Sequence, residues 1–375
     1  MTESWLYGVS CPSVSACTAV GDAGSSAGTN RRTLVEHWTG VGWTIQPSPD
    51  RAGASESELE SVSCASTNWC IAVGSTQTSV LAPSQLLAER WNGVRWSIQR
   101  TPRPAVASGG LLESVSCASE TSCSTVGAAE VGAGADEHWV TLAERWNGAS
   151  WAIRLTPNRA GASSNELQSV SCATADTCTA VGDVVGKSVG QAALAEGWNG
   201  TSWSIQPTPA AGVVSDLTGV SCPQRTACIA VGLGADTALT ERWNGTSWRI
   251  EPSSPEPSGA VNGAPSAISC TSPRACTGVG TLETSKGLEG ALAERWNGAR
   301  WTIQPAPQGI GGSNLQDVAC PSDSLCVAVG AVGVGSGANP GNGPTPVATT
   351  LVEDWNGGNW SIEPTSAAAG ESAGA

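Results

Sequence analysis

In seven copies of a Trp-x4-Trp segment a glutamate stands two residues before the first tryptophan: Glu36, Glu89, Glu144, Glu196, Glu241, Glu294 and Glu353. Four copies place an arginine between the two, as Glu89-Arg90-Trp91, Glu144-Arg145-Trp146, Glu241-Arg242-Trp243 and Glu294-Arg295-Trp296. The other three carry His37, Gly197 and Asp354 there. A carboxylate and a guanidinium can bind sugar hydroxyls beside an indole that stacks on a pyranose face, so each copy is a candidate carbohydrate pocket. On that reading the three copies without arginine are weak or dead. The same residues also have a structural reading. Alternation along a strand puts Glu and Trp on one face and Arg on the other. A half-buried carboxylate then needs a backbone N–H, an indole N–H or the arginine of an adjacent repeat. With 17 Trp, one Tyr and no Phe, the indoles are also the main source of large apolar volume.

A second dense cluster is "ADEHWV" at 135–140, which brings Asp136, Glu137, His138 and Trp139 together. It suits a binding anchor for a sugar or a protein, or local packing of its tryptophan. Trp69 is the other tryptophan without an evident core role. Catalytic signals are sparse: the single tyrosine is Tyr7, the histidines are His37 and His138, and no nucleophile-elbow, zincin or phosphate-cradling motif is present. Paired carboxylates brought together by folding keep a hydrolase or lyase as an alternative. No metal or other cofactor is expected. A net charge of −14 argues against nucleic acid as a partner, and no apolar run is long enough to insert as a membrane-spanning helix.

The elements that hold these groups follow from a repeat. Fourteen cysteines form seven C-x5-C pairs: Cys11/Cys17, Cys64/Cys70, Cys117/Cys123, Cys172/Cys178, Cys222/Cys228, Cys270/Cys276 and Cys320/Cys326. Their period of about fifty residues is that of propeller blades. In the second copy, "LESVSC" alternates as a strand (A), "CIAVG" reads as a strand ended by glycine (B), "QLLAERW" as a third (C) and "WSIQ" as a fourth (D). Trp91 and Trp96 flank a four-residue loop, so they oppose each other across the C–D hairpin, and Asn92-Gly93 supplies its left-handed backbone. The cysteines oppose each other across the A–B hairpin, within bridging reach.

The expected fold is therefore all-β: a seven-bladed β-propeller, each blade a four-stranded antiparallel meander with one intrablade disulfide. It occupies 1–365, with blades near 5–50, 58–104, 111–157, 166–209, 216–257, 264–307 and 314–365, and a disordered tail at 366–375. The chain enters at strand A (6–11) and leaves after strand D (360–364), so blades one and seven close the ring by packing alone. Residues 1–10 show no leader pattern, but seven bridges imply an oxidising compartment, extracellular or at the cell surface.

The segment "CIAVG…LLAERWNGVRWSIQRTP" resembles a kelch repeat in all seven copies, from Leu6 to about residue 364. It differs in having one glycine (Gly74, Gly127, Gly182) where kelch has two. The C–D turn is similar to the Asp-box hairpin of sialidase-type propellers, and the Glu before a Trp-rich hairpin resembles fungal fucose-binding propeller lectins. These resemblances imply the propeller fold. The A–B and C–D turns are constant in length, whereas the B–C and D–A connections range from "LGADTA" (233–238) to the long segment 331–350. Variable loops on a rigid scaffold are where binding resides. The expected function is a monomeric, non-catalytic extracytoplasmic module that binds an unidentified protein or glycan through the B–C/D–A face. The alternatives are a multivalent lectin with Trp/Glu/Arg pockets between blades, and a hydrolase with channel carboxylates.

Overall fold

A computed structural model describes residues 2–25, 30–79, 81–132, 134–186, 190–212, 214–235, 237–254, 260–284, 289–309, 312–333 and 347–366. The tail at 367–375 and most of the long connection, 334–346, lie outside the described residues. Among the described residues, twenty-eight strands form seven consecutive A-B-C-D meanders. In blade two they are Glu56–Ser66, Trp69–Gln77, Gln85–Trp91 and Trp96–Ile98. Blades three and four join edge to edge through a single bridge, Trp139 to Ser164. The molecule is a seven-bladed β-propeller.

The hairpins form as their spacing predicts. All seven C-x5-C pairs are disulfides across the A–B hairpins. The strand-B halves of these bridges belong to the core. Cys17, Cys70, Cys123, Cys178, Cys228, Cys276 and Cys326 are all only 1–2 % exposed. The reason is the stacking of blades. Strand B is flanked by A and C in its own sheet, and its cysteine side packs against the preceding blade. Cys70 thus joins a cluster with Val20 and Val35, Cys123 one with Ile71 and Val73, and Cys228 one with Val181. Cys276 packs with Ile229 and Val231, and Cys326 with Val279. The bridges are therefore inter-blade packing as well as intrablade staples.

Each tryptophan pair faces across its C–D hairpin with ring centroids 5.6–5.9 Å apart. The turn chemistry is divided between its two residues. Gly93 takes the positive φ of +86°, while the Asn92 carboxamide oxygen accepts the N–H groups of Val94 and Arg95 at 3.0 Å. Each C–D turn glycine rests on the A–B turn of its own blade, as Gly93 does on Asn68, so these two sets of turns share one face of the disc.

Strand B does not end at its glycine. Gly74 lies in mid-strand, and the strand runs on to Gln77. Strand A explains why: in every blade its register slips by one residue opposite or beside that glycine, between Leu59 and Ser61 in blade two. This bulge pushes a carbonyl over the glycine, so a Cβ on Gly74 would stand 2.2 Å from the Glu58 oxygen. Gly74→Ala should therefore lower stability by about 1–3 kcal/mol through overpacking. A urea midpoint matching that of the parent protein would remove this account of the glycine.

The seams between blades are polar near the axis and apolar further out. The serine preceding the first cysteine of one blade accepts the N–H of the first cysteine of the next, from Ser10–Cys64 through Ser269–Cys320, at 2.9–3.0 Å. Strands A of adjacent blades splay too far for backbone pairing, and the hydroxyl satisfies an N–H that burial would otherwise orphan. Blade seven has Ala319 at this position; two residues earlier, where Ser61 accepts the Val115 N–H at 3.2 Å, its Asp317 carboxylate accepts the Val9 N–H at 2.8 Å. Blade one is otherwise built from contiguous sequence. It closes the ring by packing Leu6, Leu34 and Trp43 against Val327, Val329 and Val352. Past strand D of blade seven, the Ser366 N–H donates to Glu36 at 3.2 Å and its hydroxyl to the Trp43 carbonyl at 2.8 Å. Within the ring the glutamate is reached by a hydroxyl instead, that of Ser48 donating to Glu89 and that of Ser254 to Glu294.

Candidate functional site

The seven bulges aim one side chain per blade at the axis: Tyr7, Glu60, Glu113, Gln168, Thr218, Ser266 and Gln316. All seven line a central cavity of about 220 Å³. Burial, then the neighbouring Glu113, Glu58 and Asp22, pushes the Glu60 carboxyl up to about 9. Burial and the nearby Glu166 and Glu58 raise Glu113 to about 7. The Tyr7 hydroxyl donates to Asp22 at 2.8 Å, and its ring stacks on Trp5 at 6.5 Å. Toward the B–C/D–A side the channel meets Asp22, Glu58, Glu166, Asp183 and Asp216. Arg31 contacts two of them, at 3.6 Å from Asp22 and 3.8 Å from Glu58. The mouth is strongly acidic. None of these residues belonged to the sequence-predicted sites. The signal for the ring was the second position of the "LESVSC" segment, which is polar in every copy, in a strand whose fourth position is always Val or Ile.

The "ADEHWV" residues lie on the same loop-bearing side, between blades three and four. Asp136, Glu137 and His138 are exposed and Trp139 is half-buried. The His138 Nδ1 lies 2.8 Å from the Asp136 carbonyl oxygen. A shared hydrogen bond with Glu130 raises the Glu137 carboxyl above its ordinary value. The backbone of Trp139 pairs with Glu130 in its own blade and bridges to Ser164 of the next. Trp69, by contrast, has a core role: it is 8 % exposed and packs between blades two and three.

The repeated Glu-Arg-Trp set is divided by the strands. Glu89, Glu144, Glu241 and Glu294 are no more than 2 % exposed, so the carboxylates are fully buried rather than half-buried. Desolvation raises Glu89, Glu144, Glu196, Glu241 and Glu353 to about 8. The arginines do not reach the glutamates of adjacent blades, as an inter-blade lattice would require. Instead, Arg145 lies over the Trp198 ring of the next blade, 4.9 Å from its centroid, and donates to the Ala175 carbonyl at 2.6 Å. Arg295 lies 5.2 Å from the centroid of Trp355 and donates to the Asp323 carbonyl at 3.0 Å. Arg242 pairs with Glu251 in its own blade at 3.8 Å. Indole–guanidinium contact across a seam, with the carboxyl on the other face, replaces a shared pocket.

No known family model matches the chain, and no curated protein sequence does either. Solved structures with the same fold are numerous. U3-55K is 10% identical, with 96% of this chain covering 95% of that one at a TM-score of 0.56. The GH74 xyloglucanase from Xanthomonas campestris is 11% identical at a TM-score of 0.54; 95% of this chain covers 55% of the enzyme. YCF48 from Cyanidioschyzon merolae is 13% identical, with coverages of 88% and 93% and a TM-score of 0.50. At these identities the likeness is one of fold: the chain is a β-propeller.

Proposed function

We propose that this chain is a non-catalytic binding module that recognises a protein or cell-surface partner through its B–C/D–A face, in the oxidising extracellular setting its seven disulfides point to. The observation that carries the reading is the acidic channel mouth on the loop-bearing side. Glu58, Asp183 and Asp216 gather there beside Glu60 and Glu113, whose carboxyls burial and neighbouring acids raise to about 9 and about 7, and this crowding of acids favours a cationic partner. A basic polypeptide segment is the partner this charge favours. The lectin reading is less well supported, because the repeat glutamates are sealed in the blades, away from any hydroxyl outside. The channel carboxylates Glu60 and Glu113 would serve a hydrolase, but about 220 Å³ is below the roughly 300–1,000 Å³ of small-molecule sites.

Selection of displayed peptides on the purified protein tests this. Basic sequences should be enriched, and the enrichment should be lost on a Glu58→Gln, Glu60→Gln, Glu113→Gln variant. A glycan array should stay silent. Equal enrichment on parent and variant, or a clear glycan signal, would sink the reading.

A further inference from the structure

The first tryptophan of each hairpin is not equally covered. Trp146, Trp198, Trp296 and Trp355 are buried, at 3–6 % exposure. Trp38, Trp91 and Trp243 are only partly buried. This division follows the residue between Glu and Trp in the preceding blade. The buried four come after blades with Arg90, Arg145, Arg242 and Arg295; the other three come after Asp354, His37 and Gly197. Two of the arginines stack directly on the next blade's indole. The molecule thus shows within itself what its seams accept: a guanidinium above the tryptophan, bonded to a carbonyl of the neighbouring A–B turn.

Between blades seven and one that place is open. A cavity of about 160 Å³ is lined by Val14, Cys17, Trp38, Leu325, Val327 and Asp354. Each lining residue has a counterpart around Arg145: Ala175, Cys178, Trp198, Ser122, Ser124 and the arginine itself. At the seam of blades six and seven, where Arg295 occupies the site, no room for a water remains. In the open seam Asp354 puts a carboxylate where the guanidinium would be. Its Oδ1 is buried without a hydrogen-bond partner, and desolvation, then the nearby Glu363, raises the carboxyl to about 6. Leu325 and Val327 replace the two serines, giving apolar walls suited to an aliphatic stem.

We infer that the seam between blades seven and one is a socket for an arginine side chain of a partner polypeptide, its guanidinium over Trp38 and bonded to Asp354 and the Val14 carbonyl. The charge fits: an unpaired acid and an indole face both attract a cation, and a planar donor fork can bond carboxylate and carbonyl together. Blades three and six supply this group from within, through Arg145 and Arg295; blade seven leaves it to be supplied from outside. The socket opens beside the A–B and C–D turns, on the face opposite the acidic mouth, so it is physically separate from the loop-face site. Peptide binding unaffected by the channel substitutions would bear on the loop face alone.

Titration with N-acetylarginine methylamide, followed through the Trp38 indole resonance in 1H–15N spectra, tests it. The resonance should move saturably in the roughly millimolar range. The uncharged N-acetylcitrulline analogue should leave it unmoved, and tetramethylammonium, which has no donors, should act far more weakly. Asp354→Asn should weaken binding by about tenfold or more, as loss of a charge-assisted bond predicts. Asp354→Arg, which gives the seam its own guanidinium, should abolish the response and bury Trp38. No movement in the parent protein, an equal response to citrulline or tetramethylammonium, or unchanged affinity in Asp354→Asn would each overturn the assignment. The citrulline and asparagine arms decide it even if the arginine variant does not fold.

Discussion

The thermal midpoint of this protein should fall by many degrees as pH is raised from about 5 to about 9. Free carboxyls lose their protons near pH 4.3 in an unfolded chain. In the folded ring Glu89, Glu144, Glu196, Glu241 and Glu353 hold theirs to about pH 8, and Glu60 to about 9. Between those limits the native state binds more protons than the unfolded state, so stability decreases with rising pH. The contribution is complete below the unfolded value and is lost as pH passes through the folded ones. A tenfold change in proton affinity is worth about 1.4 kcal/mol per group before relaxation, so even a fraction of the full difference across several blades is a large effect. Glu144 and Glu196 have no hydrogen-bond partner on either carboxyl oxygen, which leaves desolvation as the cause. Glu196→Gln should consequently be nearly neutral at pH 5, where it mimics the protonated acid, and stabilising at pH 9. Chemical denaturation across this range at fixed ionic strength measures both. A stability maximum at pH 8, or a glutamine variant weaker at pH 9, would contradict the buried-acid account.

The second large effect is expected on reduction. Each bridge closes a loop of five intervening residues, which by chain entropy contributes about 2 kcal/mol. Seven such bridges together approach or exceed the 5–15 kcal/mol that typically separates folded from unfolded domains. The reduced protein should therefore unfold at or near ambient temperature. The second cysteine of each pair is no more than 2 % exposed, so reduction should be slow until the blades loosen. Thiol titration in denaturant should find none before reduction and fourteen after it. Fourteen thiols in the unreduced protein would refute the bridges and the oxidising setting together. An unchanged midpoint after full reduction would show that packing alone holds the ring.

The two hairpins of each blade were legible because their determinants are local. A cysteine pair or a tryptophan pair at fixed spacing opposes itself across a turn whatever surrounds it, and all seven copies did so. The face that carries the variable loops followed from the same connectivity. Gly74 was misread as a strand end because its reason, a bulged carbonyl pressing from strand A, involves residues some fifteen positions away. Burial of the glutamates, and of Cys70 and its counterparts, needed the neighbouring blade. Alternation tells which face a side chain takes but not how deeply the next sheet covers it. Arg145 was expected at a carboxylate and lies on an indole, because the glutamate it was to meet faces away from that seam. The repeat, its hairpins and the closure number are thus written in residue order alone. The channel ring, the depth of the acids and the open seam at Trp38 and Asp354 come into being only when the blades stack. Each depends on which surface one blade presents to the next, and that is set by sheet twist and bulges, which no local spacing encodes.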